Sequence, residues 1–171
     1  MRSIDRVAAI HPGHGGFGFV VMEGPRQAVD WGIKTYPLNE TERMLRRVEK
    51  LLNHYRPDLI LLARQTARRA SRIQSFYLKI RLVACKHEVE TRTISRRQMD
   101  AAFSCYGRTK QERALAVVQK LPQLAHWFPR KRRLWGGEDH RMKIFEAAFL
   151  GLTFYDSDSA TSDSEARHCS I

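Results

Sequence analysis

The chain has 171 residues, 43% of them hydrophobic, which is the size and composition of one ordinary globular domain. Its apolar runs are far shorter than the roughly 20 residues that cross a bilayer, and the N-terminus lacks the apolar centre of a signal peptide, so we expect a soluble, cytoplasmic protein. Three cysteines without CxxC spacing indicate neither a disulfide framework nor a zinc knot, and the net charge of +12 favours a polyanionic partner.

The first part of the chain predicts a three-stranded meander, a helix and a buried strand. The strands are expected at 6–10, 17–23 and 28–36, separated by turns in the segments HPGHGG and GP. Asn39 or Thr41 is expected to cap a helix that ends before Pro57. Residues 58–63, DLILLA, have no polar alternation, which is typical of a strand buried on both faces.

A helix predicted at 67–85 separates its side chains into two arcs. The apolar arc holds Ile73, Phe76, Tyr77, Ile80, Val83 and Ala84. The other arc, named here the basic stripe, holds Arg64, Arg68, Arg72 and Lys79, with the preceding turn as the alternative place for Arg64. No acidic residue is interleaved to form intrahelical pairs, so the stripe is a candidate phosphate contact, with a solvated charged face as the alternative.

The last third predicts a strand, three helices and a basic loop. The strand is expected at 89–94, Ser95 caps a short helix, and a helix at 110–121 should turn Leu115, Val118 and Leu121 inward. The loop that follows contains the basic cluster of Arg130, Lys131, Arg132 and Arg133, among Trp127, Phe128 and Trp135. The rings could stack on bases while the cations contact phosphates, or they could pack the loop against the body.

The final helix is predicted at 139–155 and is apolar nearly all round, which indicates burial. Glu146 lies in its middle, and a buried carboxylate needs a partner or a metal. Residues 156–171 are rich in Ser and Asp and should form a disordered acidic tail.

The charge is unevenly distributed. Residues 156–171 hold four acidic residues and one basic residue, which leaves a net charge of +15 on residues 1–155. Such a surface concentrates polyanions. We expect nucleic acid, DNA more than RNA, as the partner rather than a membrane; a merely solubilising charge is the alternative.

The order of elements resembles the RNase H-like fold, an α/β fold with a mixed sheet of a three-stranded antiparallel meander and two further strands, flanked by helices. Three segments are similar to the RuvC-like Holliday-junction resolvases: AAIHPGHGGFGFVV to their first hairpin, RPDLILLA to their central strand and FEAAFLGLT to their final helix. The resemblance implies one RuvC-like domain at 1–155, followed by the tail at 156–171.

The resemblance also implies a site for phosphodiester cleavage by two magnesium ions held by four carboxylates. The first-strand Asp of the family falls on His11, the central-strand Glu on Ala63 and the last-helix Asp on Glu146. Asp139 is the nearest candidate for the fourth acid, although its spacing does not match. His11, Asp139 and Glu146 are thus the positions of a degenerate catalytic site, and Glu146 and Asp139 are the candidate carboxylate ligands for Mg²⁺ or Mn²⁺.

Three functions follow from these patterns. The first is nucleic-acid binding through the basic stripe and the basic cluster without cleavage. The second is a structure-specific endonuclease with a rebuilt site, in which His11, His14, Asp139 and Glu146 hold a softer metal such as Mn²⁺. The third is an assembly module with the last helix at a subunit interface, and a homodimer would fit any of them. The resemblance to the RuvC-like family predicts that His11 and Ala63 lie at adjacent strand ends facing Glu146.

Overall fold

The structure of the chain, a computed structural model, describes residues 4–13, 15–35, 40–64, 70–102, 107, 109–131 and 137–166, with the backbone alone for 70–74 and 158–166. The strands are β1 (Val7–Gly13), β2 (Gly16–Met22), β3 (Ala28–Thr35), β4 (Leu59–Arg64) and β5 (Glu90–Ser95). The helices are α1 (Thr41–Tyr55), α2 (Ala70–Lys86), α3 (Arg96–Ala102), α4 (Lys110–Lys120) and α5 (Met142–Ala166), with a 3-10 helix at Pro122–Trp127 between the last two.

The five strands form one mixed sheet in the order β3-β2-β1-β4-β5. The first three strands pair antiparallel as a meander, while β4 pairs parallel with both β1 and β5. The predicted α/β architecture is therefore confirmed. Leu59 to Ala63 of β4 are all buried, as the absence of polar alternation predicts for a central strand.

Alternate side chains of the sheet enter two separate apolar layers. Ala9 and Leu61 face the layer formed by α3, α4, the 3-10 helix and α5, which contributes Phe145. Ala8 and Ile60 face the layer formed by α1 and α2. The predicted apolar arc of α2 packs here through Phe76, Tyr77, Ile80, Val83 and Ala84.

The first hairpin is longer and tighter than the sequence predicts. His11, Pro12 and Gly13 belong to β1, where Gly13 pairs with Gly16, so the predicted turn HPGHGG is mostly strand. Gly15, at the turn, has a φ of 66°, which glycine adopts without strain. The extension places His11 within β1, one residue beyond the last pair of β1 with β4.

Several helix boundaries differ from the prediction. Thr41 is the first residue of α1 and not its N-cap, because Glu40 holds the cap position, without a side-chain hydrogen bond. The other predicted cap, Asn39, lies outside the described residues. Ser95 does cap α3: its Oγ accepts from the Gln98 backbone N–H at 3.2 Å. In α4, Leu115 is 53% exposed and its predicted burial is wrong, because Ala114 and Val117 fill the inner face instead.

Helix α5 continues beyond the predicted boundary at residue 155 as far as Ala166. Its first extra turn is attached to α4, since the Lys120 ammonium donates to Asp156 at 2.8 Å. Within α5, the Ser157 hydroxyl donates to the Thr153 carbonyl at 2.8 Å. The domain boundary and the disorder of the remaining tail stay predictions. Among the described residues, no helix has the length and apolar character needed to span a bilayer.

Candidate functional site

The predicted meeting point of His11, Ala63 and Glu146 lies where β1 and β4 end. The pairing of Ile10 with Leu62 places His11 beside Ala63 on the neighbouring parallel strand. Strand alternation turns both side chains toward α5, in the layer of Ala9 and Leu61. The Glu146 carboxylate of α5 is close enough to act electrostatically on His11. The structure therefore brings these three positions together.

A glycine allows α5 to approach this strand end closely. Gly18 of β2 pairs directly with His11. A Cβ atom on Gly18 would lie 2.3 Å from the Lys143 carbonyl oxygen, a separation that no real side chain tolerates. The first turn of α5 consequently lies on the backbone of β2, which brings its charged residues next to His11.

The partly buried carboxylate of α5 has a lysine as its partner. Glu146, whose side chain is 12% exposed, lies 3.6 Å from the Lys110 ammonium. The same ammonium lies 2.6 Å from a carboxylate oxygen of Glu138. Lys110 is the first residue of α4, and a capping box between Thr109 and Glu112 fixes that helix end. One ammonium thus pairs with two carboxylates at the mouth of the site.

His11 is neutral at neutral pH. Burial is the main cause that lowers its pKa below the usual value, and the ammonium groups of Lys110 and Lys143 lower it further. The carboxylates of Glu146 and Glu138 oppose them without reversing the direction. Burial also lowers the pKa of Lys143, against the opposing charge of Glu138. The imidazole can accept or donate a hydrogen bond here but adds no charge.

This set of side chains does not fit a pair of magnesium ions. Hard dications require several oxygen ligands, whereas Ala63 supplies none and His11 supplies one nitrogen. The carboxylates of Glu138 and Glu146 already face an ammonium. Across the described ranges, no three His, Cys, Asp or Glu side chains are grouped so that they could hold a metal ion. The His14 of the rebuilt-site hypothesis lies outside those ranges.

The Asp139 carboxylate is hydrogen-bonded to the backbone on either side of it. Its carboxylate accepts from the backbone N–H groups of Arg130 at 2.9 Å and Arg141 at 3.0 Å. Burial raises its pKa, but these hydrogen bonds and the charges of Arg141 and His140 outweigh burial and leave the pKa lowered. Asp139 is not among the charged groups that act on His11. The acidic residue of this loop that lies near His11 and Lys110 is Glu138, the residue before Asp139.

The basic cluster borders a cleft beside these residues. Arg130 and Lys131 are exposed and, with Lys110, Glu138 and Met142, line an open cavity of about 470 Å³. Phe128 packs edge-on against Phe145 at 6.0 Å, so this ring holds the loop to the body, whereas Trp127 is 41% exposed. Arg132, Arg133 and Trp135 lie outside the described residues.

The basic stripe is only partly placed by the structure. Arg64 is exposed at the end of β4 rather than on the helix, since α2 begins at Ala70. Lys79 is half-buried on α2, on the sheet face opposite α5. Arg68 lies outside the described residues, as does the side chain of Arg72. Of the described members, Lys79 is therefore on the face of the sheet away from the cleft.

A second open cavity, of about 570 Å³, lies at the other end of the sheet, where β4 and β5 begin. Its lining mixes Arg56 and Arg92 with Asp58, Glu88 and Glu90. Because positive and negative side chains both line this cavity, it should not attract a polyanion.

Sequence reasoning missed three residues of the site: Lys110, Glu138 and Lys143. Lys110 is remote from β1 and α5 along the chain, and only the packing of α4 on α5 brings it there. The sequence contains a weak indication of Glu138: the resemblance implies an acid near the start of α5, and Asp139 was chosen for it.

The fold is similar to that of solved Holliday-junction resolvases. Thermus thermophilus RuvC superposes with a TM-score of 0.69 at 19% identity, over 91% of this chain and 96% of that one. The yeast mitochondrial resolvase Ydc2 gives 0.63 at 12% identity over 96% and 86%, and the fowlpox virus resolvase gives 0.56 at 14% identity over 89% and 99%. T. thermophilus RuvC has also been solved in complex with a Holliday junction substrate. No protein-family model and no curated protein matches the sequence. These similarities place the chain in the RNase H-like fold.

Proposed function

We propose that the chain is a RuvC-like DNA-binding domain that does not cut its DNA by two-metal chemistry. The observation that carries the proposal is the cleft beside the ends of β1 and β4, where Lys110, Arg130 and Lys131 converge. Cations that line a concave surface focus the field on an approaching polyanion. The excess of Lys and Arg over the whole chain adds a long-range attraction of the same sign.

The strand ends support the second half of the proposal. A two-metal mechanism needs carboxylates that bridge and hold both ions. His11 and Ala63 occupy the positions of strand-borne ligands implied by the resemblance, and neither provides a carboxylate. Without those ligands the site keeps its position in the fold but lacks the strand-borne carboxylates with which a two-metal site activates water.

Branched DNA is the first substrate to test, because T. thermophilus RuvC and the fowlpox virus resolvase have both been solved with Holliday junctions. Affinity for a four-way junction, the matching duplex and a single strand should be measured by fluorescence anisotropy at several salt concentrations. Each phosphate contact releases counterions, so the logarithm of affinity should fall with the logarithm of salt concentration by about 0.9 per contact on duplex DNA.

The double variant Arg130→Ala/Lys131→Ala should flatten this slope by up to about two units and weaken all sequences similarly. Arg43→Ala/Arg46→Ala on α1 is the matched control. It removes the same charge, but each of these arginines pairs with an acid of its own segment, Glu40 and Glu42 respectively. Equal slopes for the two double variants would mean that the basic cluster contributes only solubilising charge. Tighter binding of RNA than of DNA would mean that RNA is the partner.

A further inference from the structure

Lys143, in the first turn of α5, is a half-buried amine that the proposed binding of DNA does not use. Its side chain extends along the end of β1, since a Cβ atom on Gly13 would lie 2.5 Å from the Lys143 Cε. Met142, the residue before it, lines the cleft, and so does Glu138. The amine therefore lies beside the end of β1, next to residues that line the cleft.

The surroundings of Lys143 place a base near this amine. The charge of the Glu138 carboxylate acts on Lys143, and the Glu138 side chain is 47% exposed, so water and a ligand can reach it. Burial lowers the pKa of Lys143, so more of its amine is unprotonated at neutral pH than in an exposed lysine. A desolvated lysine amine is the group with which proteins attack carbonyl carbons.

DNA offers an aldehyde to such an amine where a base has been lost, because the sugar then opens and exposes a carbonyl at C1′. An abasic sugar is neither paired nor stacked, so it leaves the helix at a lower cost in free energy than an intact nucleotide. A cleft that binds DNA beside a half-buried amine therefore has the two parts that a reaction with abasic DNA requires.

We propose that Lys143 is the nucleophile of an abasic-site lyase activity, with the Glu138 carboxylate as the base. The amine nitrogen attacks C1′ of the open sugar, and the aldehyde oxygen leaves as water, which gives an imine. The Glu138 carboxylate then removes a proton from C2′, and the C3′–O bond breaks with its electron pair on the departing phosphate. Water hydrolyses the remaining unsaturated imine and restores the amine. The proposal rests on the proposed function, because the cleft must first bind DNA.

The test uses a 5′-labelled duplex with one abasic deoxyribose, incubated with the full-length chain in EDTA. Sodium borohydride reduces an imine to a stable amine, so the wild type should form a covalent adduct with the DNA. Peptide mass spectrometry should identify Lys143 as the modified residue. Without borohydride, the labelled strand should be cut at the abasic sugar. A duplex with tetrahydrofuran in place of that sugar has no aldehyde and should give neither product.

Three variants assign the roles. Lys143→Arg keeps the positive charge but has no primary amine, so it should lose both the adduct and the cutting. Glu138→Gln should still form the adduct, but its strand cutting should be slower by about 100-fold. Lys34→Arg is the matched control, because Lys34 is also half-buried and lies over the Phe19 ring, on the face of the sheet away from α5. It should form the adduct and cut like the wild type.

The outcomes separate the two proposals. A wild type that binds neither the abasic duplex nor an intact one at low salt overturns the proposed function. Binding of the abasic duplex without an adduct, or an adduct that Lys143→Arg and Lys34→Arg affect equally, overturns the lyase alone. A wild-type adduct on lysines other than Lys143 also overturns it, whether or not Lys143→Arg folds. Cutting that Glu138→Gln leaves unchanged contradicts the assigned base.

Discussion

Burial lowers the pKa of His11 and the nearby carboxylates raise it, and the effect of burial is the larger. Its pKa in the folded state is lowered, whereas an unfolded chain has a histidine pKa of about 6.5. Protons therefore bind the unfolded state more readily. The contribution of neutral His11 to stability is complete above about pH 6.5 and is lost progressively as the pH falls below that value.

Replacement of His11 by glutamine should accordingly flatten the loss of stability between about pH 7 and pH 5, because glutamine does not titrate. Urea unfolding at a series of pH values measures this directly. His126→Gln, which removes an imidazole at an exposed position of the 3-10 helix, is the matched control. A wild type that becomes more stable toward acid would contradict the inferred direction.

Glu146 illustrates what a single residue in the sequence can and cannot reveal. A carboxylate in an apolar helix predicts a partner, and the structure provides one. The identity of that partner depends on where α4 packs, and no local pattern around Lys110 encodes it. Asp139 and Glu138 show the same limit: adjacent residues of equal charge serve different contacts, one the backbone of Arg130 and the other Lys110.

At the scale of elements, the contact between α5 and β2 depends on Gly18. Its Cβ would overlap the backbone of Lys143, which cannot move aside as a flexible side chain could. Gly18→Ala should therefore destabilise the fold by about 1–3 kcal/mol, the range for overpacking a core. It should also shift the start of α5 away from His11.

Chemical denaturation of the purified variants measures this effect. Gly137→Ala is the matched control, because a Cβ there meets nothing within 4 Å. We expect that variant to unfold like the wild type. Equal stability of Gly18→Ala and Gly137→Ala would mean that α5 is not held against β2 as described.

Periodicity and turn residues were sufficient to predict most elements, because both are local. The buried run of β4 and the apolar arc of α2 follow directly from residue patterns. Leu115 was assigned wrongly because α4 buries small residues, Ala114 and Ala116, where the apolar pattern alone favours the larger side chain. The extension of β1 through Pro12 was missed because Pro and Gly usually indicate turns, whereas here Pro12 pairs with Phe17 in a hairpin.

The whole molecule combines a fold shared with resolvases and a surface rich in cations. The fold places the ends of β1 and β4 beside the first turn of α5, and α4 adds Lys110 from the side. In the proposed function, the positive charge attracts DNA, and the residues at the ends of β1 and β4 determine whether that DNA is cleaved. The homodimer remains a prediction, and so does the role of Arg68, Arg72, Arg132 and Arg133.

The most direct test of binding without cleavage is single-turnover incubation of an end-labelled four-way DNA junction with an excess of the full-length chain, in Mg²⁺ and in Mn²⁺. Gel shift of the same samples establishes that the junction is bound. We predict bound junction and no cleavage product above the protein-free background, because His11 and Ala63 supply no carboxylate to hold two ions. Metal-dependent product that appears with the wild type and disappears with His11→Ala would contradict the account and favour the rebuilt site.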